Sequence, residues 1–167
     1  MLFRSYIPSV SVDYATGLAL SKMDGAAIHL TITQDVRETI ARNIIVDVPG
    51  TGLDRSITYM TGHYDTVARS EGATDNAGGV AVMLSVLEML SKKRPSRRLT
   101  AIFCSAEELG LRGSLHYTET HKEEVQKYGA CVVNIDVAGD MLGTDCFIVT
   151  GTHQQLGYYD EIGRAHV

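Results

Sequence analysis

Tryptophan is absent from the 167 residues, and cysteine and proline occur three times each. So little proline excludes collagen-like and proline-rich chains. The cysteines, Cys104, Cys131 and Cys146, are odd in number and widely spaced. That pattern suits neither a disulfide scaffold nor a thiolate zinc site. Cys104 and Cys131 fall inside apolar runs and read as buried thiols. No run of about 18 apolar residues exists, so no membrane-spanning helix is expected. Basic residues are also short: Lys and Arg total 15 against 20 Asp and Glu, a net charge of -5. Without a basic stripe, nucleic acid is not expected as a partner. Met1 to Val10 lacks a charged start leading into a long apolar stretch, so no signal peptide is read.

What remains is ordinary globular composition, 44% hydrophobic and 21% charged. The length alone suggests one domain. Along the chain, Asp13 to Met23 reads as a short helix with Asp13 as N-cap and Gly25 as its stop. Ala27 to Thr33 alternates and predicts a strand, and Asn43 to Val48 a second, closed by Pro49-Gly50. Together these two suggest a hairpin-like antiparallel edge. Ser56 to Thr61 predicts a third strand. Asn76 to Lys92 is the clearest helix, apolar around nearly its whole circumference and therefore expected to be covered on most sides. Leu99 to Cys104 and Cys131 to Ile135 read as central strands, and Cys146 to Thr150 as another. Ser114 to Tyr128 is helical with a break near Thr120, where Thr120 and Glu123 have capping-box spacing. Gln154 to Ile162 also reads as helix. Strands alternate with helices from Ser56 onward, so the class is α/β, three-layered, with a largely parallel mixed sheet flanked by helices.

Ligands of open α/β sheets bind beyond the carboxyl ends of the strands. There the sequence places His63 and Asp65 after the third strand, Glu107 and Glu108 after LTAIFC, and Asp136 after CVVNI. Asp75 stands in the loop leading into the apolar helix. Each motif alone has a plain structural reading: a turn, a solvated acidic pair, a helix cap. Gathered on one edge, five carboxylates and one imidazole would repel strongly unless neutralised. A divalent cation answers this, and one His among carboxylates suits zinc, manganese or cobalt. Other motifs fall away. Pro49-Gly-Thr-Gly52 lacks the Lys-Ser/Thr of a phosphate loop. No G-x-S-x-G elbow exists. Cys104 lies within a strand with no nearby His, which argues against a thiol nucleophile. His29, His116 and His121 read as surface or helix-face residues, and His153 follows the last predicted strand.

Gly62-His63-Tyr64-Asp65, Gly72-Ala-Thr-Asp75-Asn76-Ala-Gly78-Gly79-Val80, Ala106-Glu107-Glu108-Leu-Gly110-Leu-Arg-Gly113-Ser114 and Asn134-Ile-Asp136 together resemble metallopeptidase family 28, the co-catalytic di-zinc aminopeptidases. The resemblance runs from about residue 40 to 150, in order and in spacing. It implies a zinc-peptidase fold and an exopeptidase acting on peptide substrates, with two zinc ions per site. It further implies that His63 and Asp136 bind one ion, Glu108 binds the other and Asp75 bridges them. Glu107 would be the general base and acid, and Asp65 would lie behind His63 and orient its ring. A cis peptide bond between Asp75 and Asn76 is implied as well. Gly78 and Gly79 would let the helix start approach the metals closely. Alternatives on the same fold are a carboxypeptidase, another amide hydrolase, or a non-catalytic receptor-like relative.

The family pattern also needs a downstream His on the second ion, and nothing here fits. His153 is only 17 residues past Asp136, and His166 is nearly the last residue. Residues 1–33 resemble the closing part of a protease-associated domain, and 34–161 the first part of a catalytic domain incomplete at its C-terminus. Residues 162–167 read like translated sequencing adapter. Weak or no peptidase activity is therefore expected of these residues alone. Location is left open between cytoplasm and secretion, as is oligomeric state.

Overall fold

A computed structural model describes residues 10–33, 35 and 37–139. Among these residues four strands form one sheet: β1 (Ile44–Val48), β2 (Ile57–His63), β3 (Arg98–Cys104) and β4 (Gly129–Asn134), in the order β1-β3-β2-β4. β2 runs parallel to both β3 and β4, whereas β1 is an antiparallel edge on β3. The helices are α1 (Tyr14–Leu20), α2 (Gly79–Lys92), α3 (Arg112–Thr120) and α4 (Lys122–Tyr128). A π-helical turn, Ala73–Gly78, leads into α2. None of the helices among the described residues is long and apolar enough to cross a membrane.

The period-2 geometry of β3 sends successive side chains to opposite faces, and both faces are buried. Ala101 and Phe103 meet Met60 and Met83 beneath α2. Ile102 and Cys104 join Ile57, Tyr59 and Tyr117, with Val125 and Tyr128 of α4 packed alongside. Helices on both faces make three layers, which is why β2 and β3 read as near-continuous apolar runs. A polar network ties the second face together. Asp47 Oδ1 accepts from Thr100 Oγ1 at 2.7 Å and from Arg98 Nη2 at 2.9 Å, while Arg98 Nη1 donates to Glu124 at 2.8 Å.

Several expectations change. Asp13 does cap α1, its carboxylate accepting from the Thr16 N–H at 3.0 Å, but α1 buries none of its residues. Ala27 to Thr33 is not a strand, and Ile28, Leu30 and Ile32 are exposed. A strand is stabilised by its ladder, and this segment makes none among the described residues, since β1 pairs only with β3. α2 begins at Gly79, three residues later than expected, because Asp75 and Asn76 leave helical φ/ψ. Nor is it covered on most sides: Val82, Leu84 and Met89 are exposed among the described residues. The α3–α4 break falls at His121, and no capping box forms. Thr120 Oγ1 instead donates back to the His116 carbonyl at 2.8 Å. Among the described strands β4 is outermost, and Cys131 there is only partly buried. The predicted strand Cys146 to Thr150, the helix Gln154 to Ile162, and His153 lie outside the described residues.

Candidate metal centre

Three parallel strands end side by side, His63 pairing with Cys104 and Thr61 with Asn134. Their following loops therefore emerge on one edge. Asp65 comes from the first loop, Glu107 and Glu108 from the second and Asp136 from the third, while the Ala73–Gly78 turn delivers Asp75. The structure thus brings all six expected residues to one edge. Asp75 and Asn76 are joined by a cis peptide bond, as the resemblance implied.

His63 is the anchor, only 3% exposed at the end of β2. Its Nδ1 lies 2.9 Å from the Asp65 main-chain oxygen. A carbonyl can only accept, so Nδ1 carries the proton and donates it. Nε2 is thereby turned to the open edge, 2.9 Å from Asp75 Oδ1 and 3.2 Å from Asp136 Oδ1. Burial pulls the imidazole pKa down, but the Asp136 charge and the Asp65 carbonyl outweigh it and the net displacement is upward. A buried imidazole nitrogen facing two carboxylates attracts positive charge, whether a proton or a metal ion.

Asp65 acts through two different groups. Its main-chain oxygen orients the His63 ring, while its carboxylate Oδ1 stands 3.6 Å from that ring. The carboxylate instead accepts from the Glu107 N–H at 3.1 Å and the Glu108 N–H at 3.3 Å. It pins the start of the turn after β3, in which Ala106 adopts a positive φ of 55°. Burial first, then the neighbouring Glu108, Asp136 and Asp65 charges, raise the Glu107 pKa against the opposing pull of His63. A raised carboxyl is suited to proton transfer near neutral pH.

Metal fit can be judged on the donors themselves. His63, Asp75 and Asp136 present ligand atoms within 4.8 Å of one another, and so do His63, Glu107 and Glu108. Glu108 Oε1 is buried with no hydrogen-bond partner among the described residues. An orphaned carboxylate oxygen beside a nitrogen donor and further carboxylates fits a divalent ion such as zinc. Cys104 takes no part, since burial holds its thiol up to about 11.

Gly78 and Gly79 do permit close approach, but what approaches them is the chain after β4. A Cβ at Gly78 would strike the Ala138 carbonyl, and one at Gly79 would sit 2.7 Å from the Ile135 oxygen. An open cleft of about 810 Å³ adjoins the Glu108 side of the centre, walled by Arg42, Ile44, Tyr64, Asp65, Glu108 and Leu109. Tyr64 donates its hydroxyl to the Arg42 carbonyl at 2.6 Å, fixing that wall. Asn76, unassigned beyond a possible cap, is 1% exposed and bonds to Ile135, 59 residues away. No local pattern signals such a pairing.

Residues 43–162 match peptidase family M28. The chain belongs to that family. This M28 chain is 34% identical over 134 residues to aminopeptidase YwaD of Bacillus subtilis, covering 80% of its own length and 29% of that protein. Among solved structures it resembles BSAP, a zinc aminopeptidase from Bacillus subtilis, at TM-score 0.53 and 39% identity over 58% of this chain and 24% of that one. It also resembles the aminopeptidase from Aneurinibacillus sp. strain AM-1, at TM-score 0.58 and 31% identity over 62% of this chain and 26% of that one. The M28 chain spans about 30% of the length of the first curated relatives it matches.

Proposed function

We propose that the protein is a zinc-dependent aminopeptidase that releases N-terminal residues from peptides. The observation that carries this reading is the convergence of Asp75 and Asp136 on His63 Nε2, at 2.9 and 3.2 Å. Family membership and the zinc aminopeptidase neighbour support it. Residues 34–161 would belong to the catalytic domain, and 1–33 to a separate inserted unit, in keeping with an α1 that buries nothing.

Two zinc ions would be held, one by His63 and Asp136, the other by Glu108, with Asp75 shared between them. Bound zinc supplies a Lewis acid that lowers the pKa of water and polarises the scissile carbonyl. The protein's own residues do the rest. Asp65 holds the His63 tautomer through its main-chain oxygen, so the ring keeps Nε2 free to ligate. The same residue fixes Glu107 and Glu108 through their N–H groups. Glu107 takes the proton of the attacking water and returns it to the leaving amine, a task its raised pKa favours. Half-exposed carboxylates at the rim offer a counter-charge for a substrate's free α-amine. Among the described residues the donors assigned to the second ion are Asp75 and Glu108.

The test is Glu107→Gln in the full-length protein, assayed for zinc content and for hydrolysis of peptides with free and acetylated N-termini. Retained zinc with turnover reduced at least about 100-fold is expected. Near-full activity in the variant, or equal cleavage of the acetylated peptide, would sink this reading.

A further inference from the structure

We propose that Asn76 is a positioning residue, setting the separation of the Asp75 and Asp136 carboxylates through a hydrogen bond to the main chain just before Asp136. The proposal rests on the metal-binding reading above. Asp75 and Asp136 are 61 positions apart and arrive on different elements, the turn before α2 and the segment after β4. Both nonetheless reach the same nitrogen of His63. Ligands on separate segments stay in register only if something behind them joins the segments.

Asn76 makes that join. It is 1% exposed, and both ends of its amide are engaged. Oδ1 accepts from the Gly79 N–H at 3.1 Å, as a helix cap does. Nδ2 leaves the helix altogether and donates to the Ile135 carbonyl at 3.0 Å. Ile135 in turn donates its N–H to the Thr61 carbonyl at 2.8 Å. The linked residues are thus Asn76, Ile135 and Thr61. Asp75 adjoins the first, Asp136 adjoins the second, and His63 stands two residues beyond the third. Each putting-forward of a donor atom therefore has a bonded residue close behind it.

The surrounding glycines make room for this bond. A Cβ at Gly62 would lie 2.9 Å from the Ile135 oxygen and 3.6 Å from Asn76 Nδ2, while one at Gly79 would strike Asn76 Oδ1 and lie 2.7 Å from the Ile135 oxygen. A cap alone would need the room at Gly79 but neither the second half of the amide nor the room at Gly62. Buried polar side chains whose every group is satisfied specify one arrangement and resist others.

The experiment compares zinc affinity of the metal-stripped protein and two variants by chelator competition, with thermal unfolding measured on the same samples. Asn76→Ser keeps an acceptor for the Gly79 N–H but is too short to reach Ile135. It should lower affinity for the ion at His63 by about 10-fold or more. Met83→Ala is the control, a core change on α2 that leaves the amide alone. It should lower the unfolding temperature while binding zinc as the wild type does. Wild-type affinity in Asn76→Ser overturns the proposal, and so does an equal loss in Met83→Ala. Absence of zinc binding by the wild type overturns the metal-binding reading and the proposal with it. If Asn76→Ser does not fold, hydrogen exchange of the wild-type Asn76 side-chain amide decides. Slow exchange supports the bond, and exchange as fast as a free amide overturns it.

Discussion

Replacing Asp65 by Asn separates the two supports that this residue gives. The main-chain oxygen that holds His63 Nδ1 at 2.9 Å is untouched by the change. The carboxylate that accepts from Glu107 and Glu108, at 3.1 and 3.3 Å, becomes an amide. One amide oxygen can still accept, but the NH2 then faces the other N–H, donor against donor. Hydrogen bonds to a charged group contribute about 1.5–3 kcal/mol each, and a part-buried N–H left without an acceptor costs about 1–3 kcal/mol. The Asp65 side chain is 23% exposed, so water softens both terms. Asp65→Asn should therefore lower unfolding free energy by about 2 kcal/mol. Urea unfolding reads this as a lower midpoint at unchanged slope. Zinc on the His63 side should remain within a few-fold of wild type, while turnover of the full-length protein falls because Glu107 is no longer held. A stability loss under about 0.5 kcal/mol would refute the clamp. Loss of the His63-side ion at unchanged stability would refute it too, by returning the carboxylate to the support of the ring.

Other expectations concern the frame around the centre. Met83 is fully buried among Met60, Ala101 and Phe103, so Met83→Ala should cost about 2–5 kcal/mol by denaturant unfolding. Asp47→Ala leaves the Thr100 hydroxyl, on a residue with 0% exposure, without its acceptor and half-unpairs Arg98. A loss of about 1–3 kcal/mol is expected, largely suppressed when Thr100→Val is combined with it in a double-mutant cycle. Burial, then the Tyr59, Glu124 and Asp47 groups, push the Tyr117 phenol from 10.0 up to about 12. A raised folded pKa favours the neutral phenol, so its contribution is complete below pH 10 and is lost as pH rises through about 12. Thermal melts across that window should show stability falling with pH, and less steeply in Tyr117→Phe.

Much of the fold and the site was legible because the signals were local. Alternation and apolar runs marked β1, β2 and β3, and the strand ends directed attention to His63, Asp65, Glu107, Glu108 and Asp136. The cis bond after Asp75 was implied by the family resemblance alone. The errors share one cause. Ala27 to Thr33 has the pattern of a strand, but a pattern cannot state whether a neighbour supplies the ladder, and none does among the described residues. Thr120 and Glu123 have capping spacing, yet the threonine hydroxyl found the His116 carbonyl first.

By itself, then, the sequence determined the alternation of strands and helices and the chemical types gathered at the strand ends, since these follow from periodicity and from side-chain chemistry. Only the tertiary structure decided which atom does which task. It gave the orientation of His63 to the Asp65 main chain and the Glu107–Glu108 turn to the Asp65 carboxylate. It also joined Asn76 to Ile135 across 59 residues. Such assignments depend on distances between segments remote in the chain, and a hydrogen bond forms or fails over a few tenths of an ångström.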